Sequence, residues 1–242
     1  MIYNANLNHL LVLDIETVPQ FPDFSHLSQQ WKELWLHKMS KTMPENFLPE
    51  DWYSQRAGIQ SEFGKIICIS TGLFYQESDG KLVFKLKSLY GNNEASLLKS
   101  FNELLHSFKE KRSNLIMTGH NIKEFDIPFI CRRMMINQVV LSDHLQLSSK
   151  KPWETNLVDT MELWKFGDYK NYTSLHLLAT VLGIETPKDD IDGSMVKDVY
   201  YKENDLPRIV TYCQKDVVTV ANILMRFKNL PLLEKEQVLI AS

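Results

Sequence analysis

Residues 10–17 read Leu-Leu-Val-Leu-Asp-Ile-Glu-Thr, an apolar run that ends in two carboxylates one residue apart. Its shortness, with Pro19 closing it, predicts a buried strand over Leu10 to Ile15. Side chains at i and i+2 of a strand share a face, so Asp14 and Glu16 converge. Left alone, such a pair repels itself and raises its own pKa values, and it needs a cation or a shared proton. A solvated strand end facing lysines is the plainer alternative for this stretch taken by itself.

The rest of the chain alternates β-prone and helical patterns. The run Lys65 to Phe74 and the run Leu82 to Tyr90 flank Asp79-Gly80, a hairpin signal. After Asn93, the apolar residues Leu97, Leu98, Phe101, Leu104, Leu105 and Phe108 recur at helical spacing. Leu115 to Thr118 reads as a short strand, Phe125 to Ile136 as a helix, and Leu157 to Thr160 as a strand or its end. Ser174 to Leu182 reads as a helix ended by Gly183, and Leu206 to Phe227 as a long final helix. A hairpin meander followed by alternating strands and helices predicts an α/β fold, a mixed sheet covered by helices on both faces. With no internal repeat and no low-complexity linker, residues 1–242 are expected to form a single domain.

Two stretches depart from this pattern. Between about residues 20 and 63 lies an insertion with Trp31, Trp35, Trp52 and Tyr53 and a helical-looking Gln29 to Lys41. It reads either as a stacking platform for bases or as an aromatic lid over a sheet edge. Residues 186–193 form an acidic turn, in which Asp189, Asp190 and Asp192 read as a helix cap before Ser194 or as an acidic rim.

Charge argues at first against a nucleic-acid partner. There are 27 basic and 30 acidic residues, a formal net charge of −3. A protein coating nucleic acid through a broad cationic surface usually carries the opposite sign. Cys68, Cys131 and Cys213 are an odd number with no CxxC spacing, which disfavours zinc or dithiol chemistry. They read as reduced core thiols. Neither a signal peptide nor a membrane-spanning run of about 18 apolar residues is recognisable, so the expected location is the cytoplasm.

Two further acidic segments complete the pattern. Gly119-His120-Asn121-Ile122-Lys123-Glu124-Phe125-Asp126 follows a strand and leads into a helix, and Tyr212-Cys213-Gln214-Lys215-Asp216 lies on the last helix. There, residues four apart share one face. Singly, these segments are a helix N-terminal aspartate and a surface tyrosine and aspartate. As an ordered triple, the DIET, N-x-x-x-F-D and Y-x-x-x-D runs resemble the three exonuclease motifs of the DnaQ-like DEDD superfamily. The likeness is narrowest to the proofreading exonuclease domain of family B DNA polymerases, and it reaches from about Leu10 to Phe227. Tyr212, with Thr211 where the other branch carries histidine, marks the DEDDy branch.

The resemblance implies a ribonuclease H-like fold and a metal-dependent 3′→5′ exonuclease acting on single-stranded ends, with DNA favoured. By matching position, Asp14 would bridge two divalent cations, Mg²⁺ with Mn²⁺ as substitute. Glu16 and Asp216 would complete the nucleophile-side site and Asp126 would hold the second ion. Tyr212 would orient the attacking water, Thr17 and Asn121 would contact the terminal nucleotide, and Phe125 would pack beside it. Carboxylates without a Cys or His set suit a hard, oxygen-seeking ion. Two such ions change the charge balance to −3 + 4 = +1, which removes the initial objection.

Expected partners are a single-stranded DNA or RNA 3′ end and a polymerase or repair protein, with no membrane. Lys109, Lys111 and Arg112, the pair Arg132-Arg133, and Lys150-Lys151 are basic candidates for the strand's path. Asp159 reads as a structural support, and His120 and His176 as structural histidines. The rival reading is a catalytically inactive ribonuclease H-like module that binds nucleic acid or protein. Retention of all four carboxylates and the tyrosine weighs against it. Polymerisation by this chain is not expected: too little follows Phe227, and Ser88-Leu89-Tyr90 lacks the neighbouring proline and aspartate of a polymerase motif.

Overall fold

A computed structural model describes residues 5–111, 115–147, 150–151, 154–168, 172–185 and 191–241. Its centre is a six-stranded mixed sheet in the order β5-β4-β1-β2-β3-β6. The strands are β1 Leu10–Pro19, β2 Gly64–Gln76, β3 Leu82–Tyr90, β4 Ile116–Gly119, β5 Leu157–Asp159 and β6 Val238–Ile240. β2 runs antiparallel to both β1 and β3, β4 lies parallel to β1 and β5 parallel to β4, and β6 lies parallel to β3.

β1 alternates between two cores. Leu11, Leu13 and Ile15 face helices α3 (Glu94–Lys111) and α4 (Asp126–Ile136). Leu10 and Val12 face α8 (Leu206–Phe227) together with Phe74, Phe84 and Leu86. A strand buried on both faces shows no polar alternation, which accounts for the continuous apolar run. The period of two then carries Asp14 and Glu16 to the α8 side.

Past Val12, β1 outruns its parallel partner. β4 pairs only with Leu10, Leu11 and Val12, while the antiparallel pairing with β2 continues to Pro19, with a bulge at Glu16/Thr17. Gly119 makes the departure of β4 possible: a Cβ there would stand 2.8 Å from the Leu13 carbonyl oxygen. The strand therefore extends beyond the expected end at Ile15, because Gly64 to Cys68 supply its hydrogen bonds.

The insertion folds into helices α1 (Gln29–Met39) and α2 (Pro49–Arg56) around a small core of its own. Trp35 packs edge-on against Tyr53 at 5.2 Å and Phe63 at 5.0 Å. Trp35 and Tyr53 are fully buried, so they have no ring face to offer a base. The segment returns beside the free flank of β1, where Gly58 meets Val18 and Pro19. That position favours the lid over the stacking platform.

The remaining helices are α5 (Thr160–Lys165), α6 (Leu175–Val181) and α7 (Val196–Asp198), the last continuing into a π-helical turn, Val199–Glu203. α5, α7 and β6 were not anticipated from the sequence. Among the described residues, no helix is long and apolar enough to cross a membrane.

Candidate active site

The three acidic segments meet at the end of β1. Asp14 and Glu16 rise from the strand, Asp126 is the first residue of α4, and Tyr212 and Asp216 lie one turn apart on α8. Asp126 Oδ1 accepts a hydrogen bond from the backbone N–H of Ile15 at 3.2 Å, which ties the second segment to the first. The Tyr212 hydroxyl donates to Asp216.

This gathering of acids is electrostatically costly. Burial pushes the Asp14 and Glu16 carboxyls well up, and neighbouring carboxylates push them further: Asp126, Asp216 and Glu16 for Asp14, and Asp216 and Asp126 for Glu16. Asp126, 3% exposed, is raised to about 7, chiefly by burial, although its own backbone N–H and that of Ile15 oppose the rise. Asp216 contributes to every one of these shifts. Carboxylates held together in this way suit a divalent cation, and an all-oxygen donor set suits a hard one.

One neighbour was not foreseen. Cys213 Sγ approaches Asp14 Oδ2 at 3.4 Å and the Asp14 carbonyl oxygen at 3.5 Å. Among the described residues, Asp14, Glu16 and Cys213 are the one group of three such donors whose ligand atoms all lie within 4.8 Å of one another. Burial, and then Cys68 and the two acids, hold the Cys213 thiol well above its usual pKa. It is therefore a protonated donor to Asp14 rather than a thiolate ligand. Cys68 and Cys213 are buried and reduced, as expected, and they pack in one small cluster.

The loop that delivers Asp126 is held from β5. Asp159 Oδ1 accepts from the backbone N–H of Asn121 at 3.0 Å and of Met161 at 2.9 Å, and Oδ2 accepts from that of Lys123 at 3.2 Å. The supporting role expected for Asp159 thus has its geometry. Asn121 adopts a left-handed φ of 63°, which Asn tolerates better than most residues. Its Oδ1 is buried with no hydrogen-bond partner, which leaves an acceptor for a ligand donor. His120 is structural: its ring nitrogens engage the Thr160 hydroxyl and the Thr173 carbonyl.

Thr17 and Phe125 line a cleft of about 680 Å³ beside Glu16. Phe125 also packs on Phe129, with ring centres 5.5 Å apart. The far wall of the cleft comes from α2 and α7, in residues that the sequence reading did not single out.

One expectation about the basic track changes. Arg133 leaves the basic track because it is 3% exposed and bonds Glu94 through Nε and Nη2 and the Ser61 carbonyl through Nη1. Asp192 does cap the turn before Ser194, accepting from its backbone N–H at 2.8 Å. Asp189 and Asp190 lie outside the described residues, as do the side chains of Lys109, Lys111 and Arg112.

Residues 58–235 match a family described as "Predicted 3'-5' exonuclease related to the exonuclease domain of PolB". The chain belongs to that family. The family match begins after the DIET strand, so the fold is what joins Asp14 and Glu16 to the matched residues. No curated protein sequence matches the chain. Among solved structures, the family B DNA polymerase from the hyperthermophilic archaeon Pyrobaculum calidifontis is similar over 90% of this chain, with a TM-score of 0.53 and 15% identity. The match covers 24% of that polymerase's chain. The mixed six-stranded sheet with helices on both faces is the ribonuclease H-like exonuclease fold.

Proposed function

We propose that the chain is a metal-dependent 3′→5′ exonuclease that removes nucleotides from single-stranded 3′ ends, with DNA favoured. The observation that carries this reading is the convergence of Asp14, Glu16, Asp126 and Asp216 from three elements, with Tyr212 hydrogen-bonded to Asp216.

Two divalent ions, when bound, supply the Lewis acidity that phosphodiester hydrolysis needs at the attacking and leaving oxygens. The chain's own groups do the rest. Asp14, Glu16 and Asp216 would hold one ion, and Asp126 together with Asp14 would hold the other. Cys213 S–H and the Ile15 N–H fix the orientation of Asp14 and Asp126. Burial and the carboxylates around Tyr212 push its phenol far above its usual pKa, so it stays protonated and is no base. Its O–H donates to Asp216, and an oxygen lone pair remains to accept a hydrogen from the attacking water and aim it. Thr17 and Asn121 contact the terminal nucleotide, and Phe125 packs beside its base.

The test uses 3′- and 5′-labelled single-stranded DNA and RNA with Mg²⁺, Mn²⁺ or EDTA. Loss from the 3′ end that needs metal and is abolished by Asp14→Ala or Asp216→Ala is the expected result. A wild-type chain that binds strands and degrades none with either metal is instead an inactive binding module. The paired DNA and RNA arms read the sugar preference.

A further inference from the structure

The cleft beside Glu16 has two unlike sides. One carries Glu16, Thr17 and Phe125 of the acidic site. The other is built by the last turn of α2, with Ser54, Gln55 and Arg56, and by Lys197 and Asp198 of α7, where Asp198 is paired with Lys202. Two elements far apart in sequence thus face the same space.

The cations on this wall are held in place without being neutralised. Lys197 Nζ bonds the Ser54 hydroxyl at 2.5 Å, which ties α7 to α2. The Arg56 guanidinium lies over the Trp52 ring at 5.5 Å. Among the described residues, neither side chain pairs with a carboxylate, whereas nearby Lys202, Arg208 and Lys38 each do. A planar guanidinium positioned on an indole loses little entropy when it binds an acceptor. Ile59 and Phe125 add apolar surface to the same cleft. At about 680 Å³, the space lies within the usual range for small-ligand sites.

We infer that Arg56 and Lys197, from the α2 and α7 side of this cleft, bind the 3′-terminal nucleotide that Thr17 and Phe125 contact from the other. The inference rests on the exonuclease reading above and gives the insertion its part in it. The base lies against Ile59 and Phe125, while Arg56, Lys197 and Gln55 donate hydrogen bonds to sugar and base oxygens. Donor-only cations here also favour the anionic strand in front of a site whose other wall is acidic. Recognition of the end thereby falls to α2 and α7, and cleavage to β1, α4 and α8.

The test compares Arg56→Gln and Lys197→Gln with Lys85→Gln, a control at an exposed position of β3 whose ammonium lies over the Tyr75 ring. Steady-state cleavage of labelled single strands gives KM and kcat, and calorimetric titration with dTMP in Ca²⁺ gives nucleotide affinity without turnover. Each cleft variant is expected to raise KM and the dTMP dissociation constant about tenfold, the worth of one charge-assisted hydrogen bond, with kcat little changed. Lys85→Gln should match wild type. Wild-type cleavage with unchanged KM in both cleft variants overturns the nucleotide seat and leaves the activity standing. A wild type that cuts nothing, yet binds dTMP in a manner weakened by both variants, overturns the activity and leaves the seat. If dTMP affinity is also the same in all chains, the seat is overturned as well.

Discussion

The backbone N–H of Ile15 donates to Asp126 Oδ1 at 3.2 Å, so the strand that carries Asp14 and Glu16 also orients the acid facing them from α4. The site is thereby assembled before any cation arrives, at the cost of carboxylate repulsion. Asp126→Asn should relieve part of that repulsion. In EDTA its Tm should exceed that of wild type by about 2–4 °C, the equivalent of about 1 kcal/mol in a chain of this size. With Mg²⁺ the order should reverse. Cleavage should fall about 10³-fold, since one ligand contributes several kcal/mol of charge stabilisation. Paired melting curves and initial rates check both halves.

Asp159 is predicted to act through the loop and not on substrate. Asp159→Asn turns one of its acceptor oxygens into a donor, which leaves a buried backbone N–H unanswered at a cost of about 1–3 kcal/mol. Activity should fall about 10–100-fold, as is typical for groups that orient metal ligands. The loss should appear as a weakened Mg²⁺ dependence; an unchanged Mg²⁺ midpoint would count against this role.

Tyr212→Phe should lower kcat about tenfold or somewhat more, while Mg²⁺ dependence stays at the wild-type value. Because the phenol remains protonated across the working range, the alkaline limb of the pH–rate profile should be the same in both chains. A limb displaced by the substitution would show that the tyrosine titrates.

Burial lowers the His120 pKa in the folded chain, only partly offset by Thr173 and Asp159. The unfolded chain, with an ordinary value of about 6.5, then binds the proton more readily, so stability rises with pH through this window. It is lost as pH falls below about 6.5. His120→Gln should remove this component and flatten the acid side of a Tm-versus-pH plot between pH 5 and 8.

Glu94 and Arg133 form a buried pair, with Ile66 N–H and Asn137 Nδ2 also donating to the carboxylate. Arg133→Met leaves that carboxylate without its countercharge and should cost about 3–5 kcal/mol. Urea unfolding would show this as a lower midpoint at an unchanged slope.

How far the sequence could be read follows from how local each determinant is. Helix α8 matches its expected span, Leu206–Phe227, because Asp205 caps it through the N–H of Arg208, Pro207 opens it, and its apolar stripe is long. The hairpin at Asp79-Gly80 was equally visible, with Gly80 at a φ of 87°. β1 was read too short because its continuation to Pro19 depends on partners at Gly64 to Cys68, far along the chain. β6 has three residues and little burial, which leaves no period to detect. Arg133 looked like a surface cation because its acidic partner is 39 positions away. Within the site, the acids were legible as ordered motifs, whereas the approach of Cys213 to Asp14 spans 199 positions and has no local signature.

The separate core of the insertion has an outcome for how such a chain can diversify. Trp35, Tyr53 and Phe63 brace α2 from within their own cluster, apart from the two cores that sandwich β1. Exchanges on the outer turn of α2 are therefore absorbed by packing that the acids do not share. On the function proposed above, a lineage can retune which strand end it accepts, one surface residue at a time, while the four acids stay untouched.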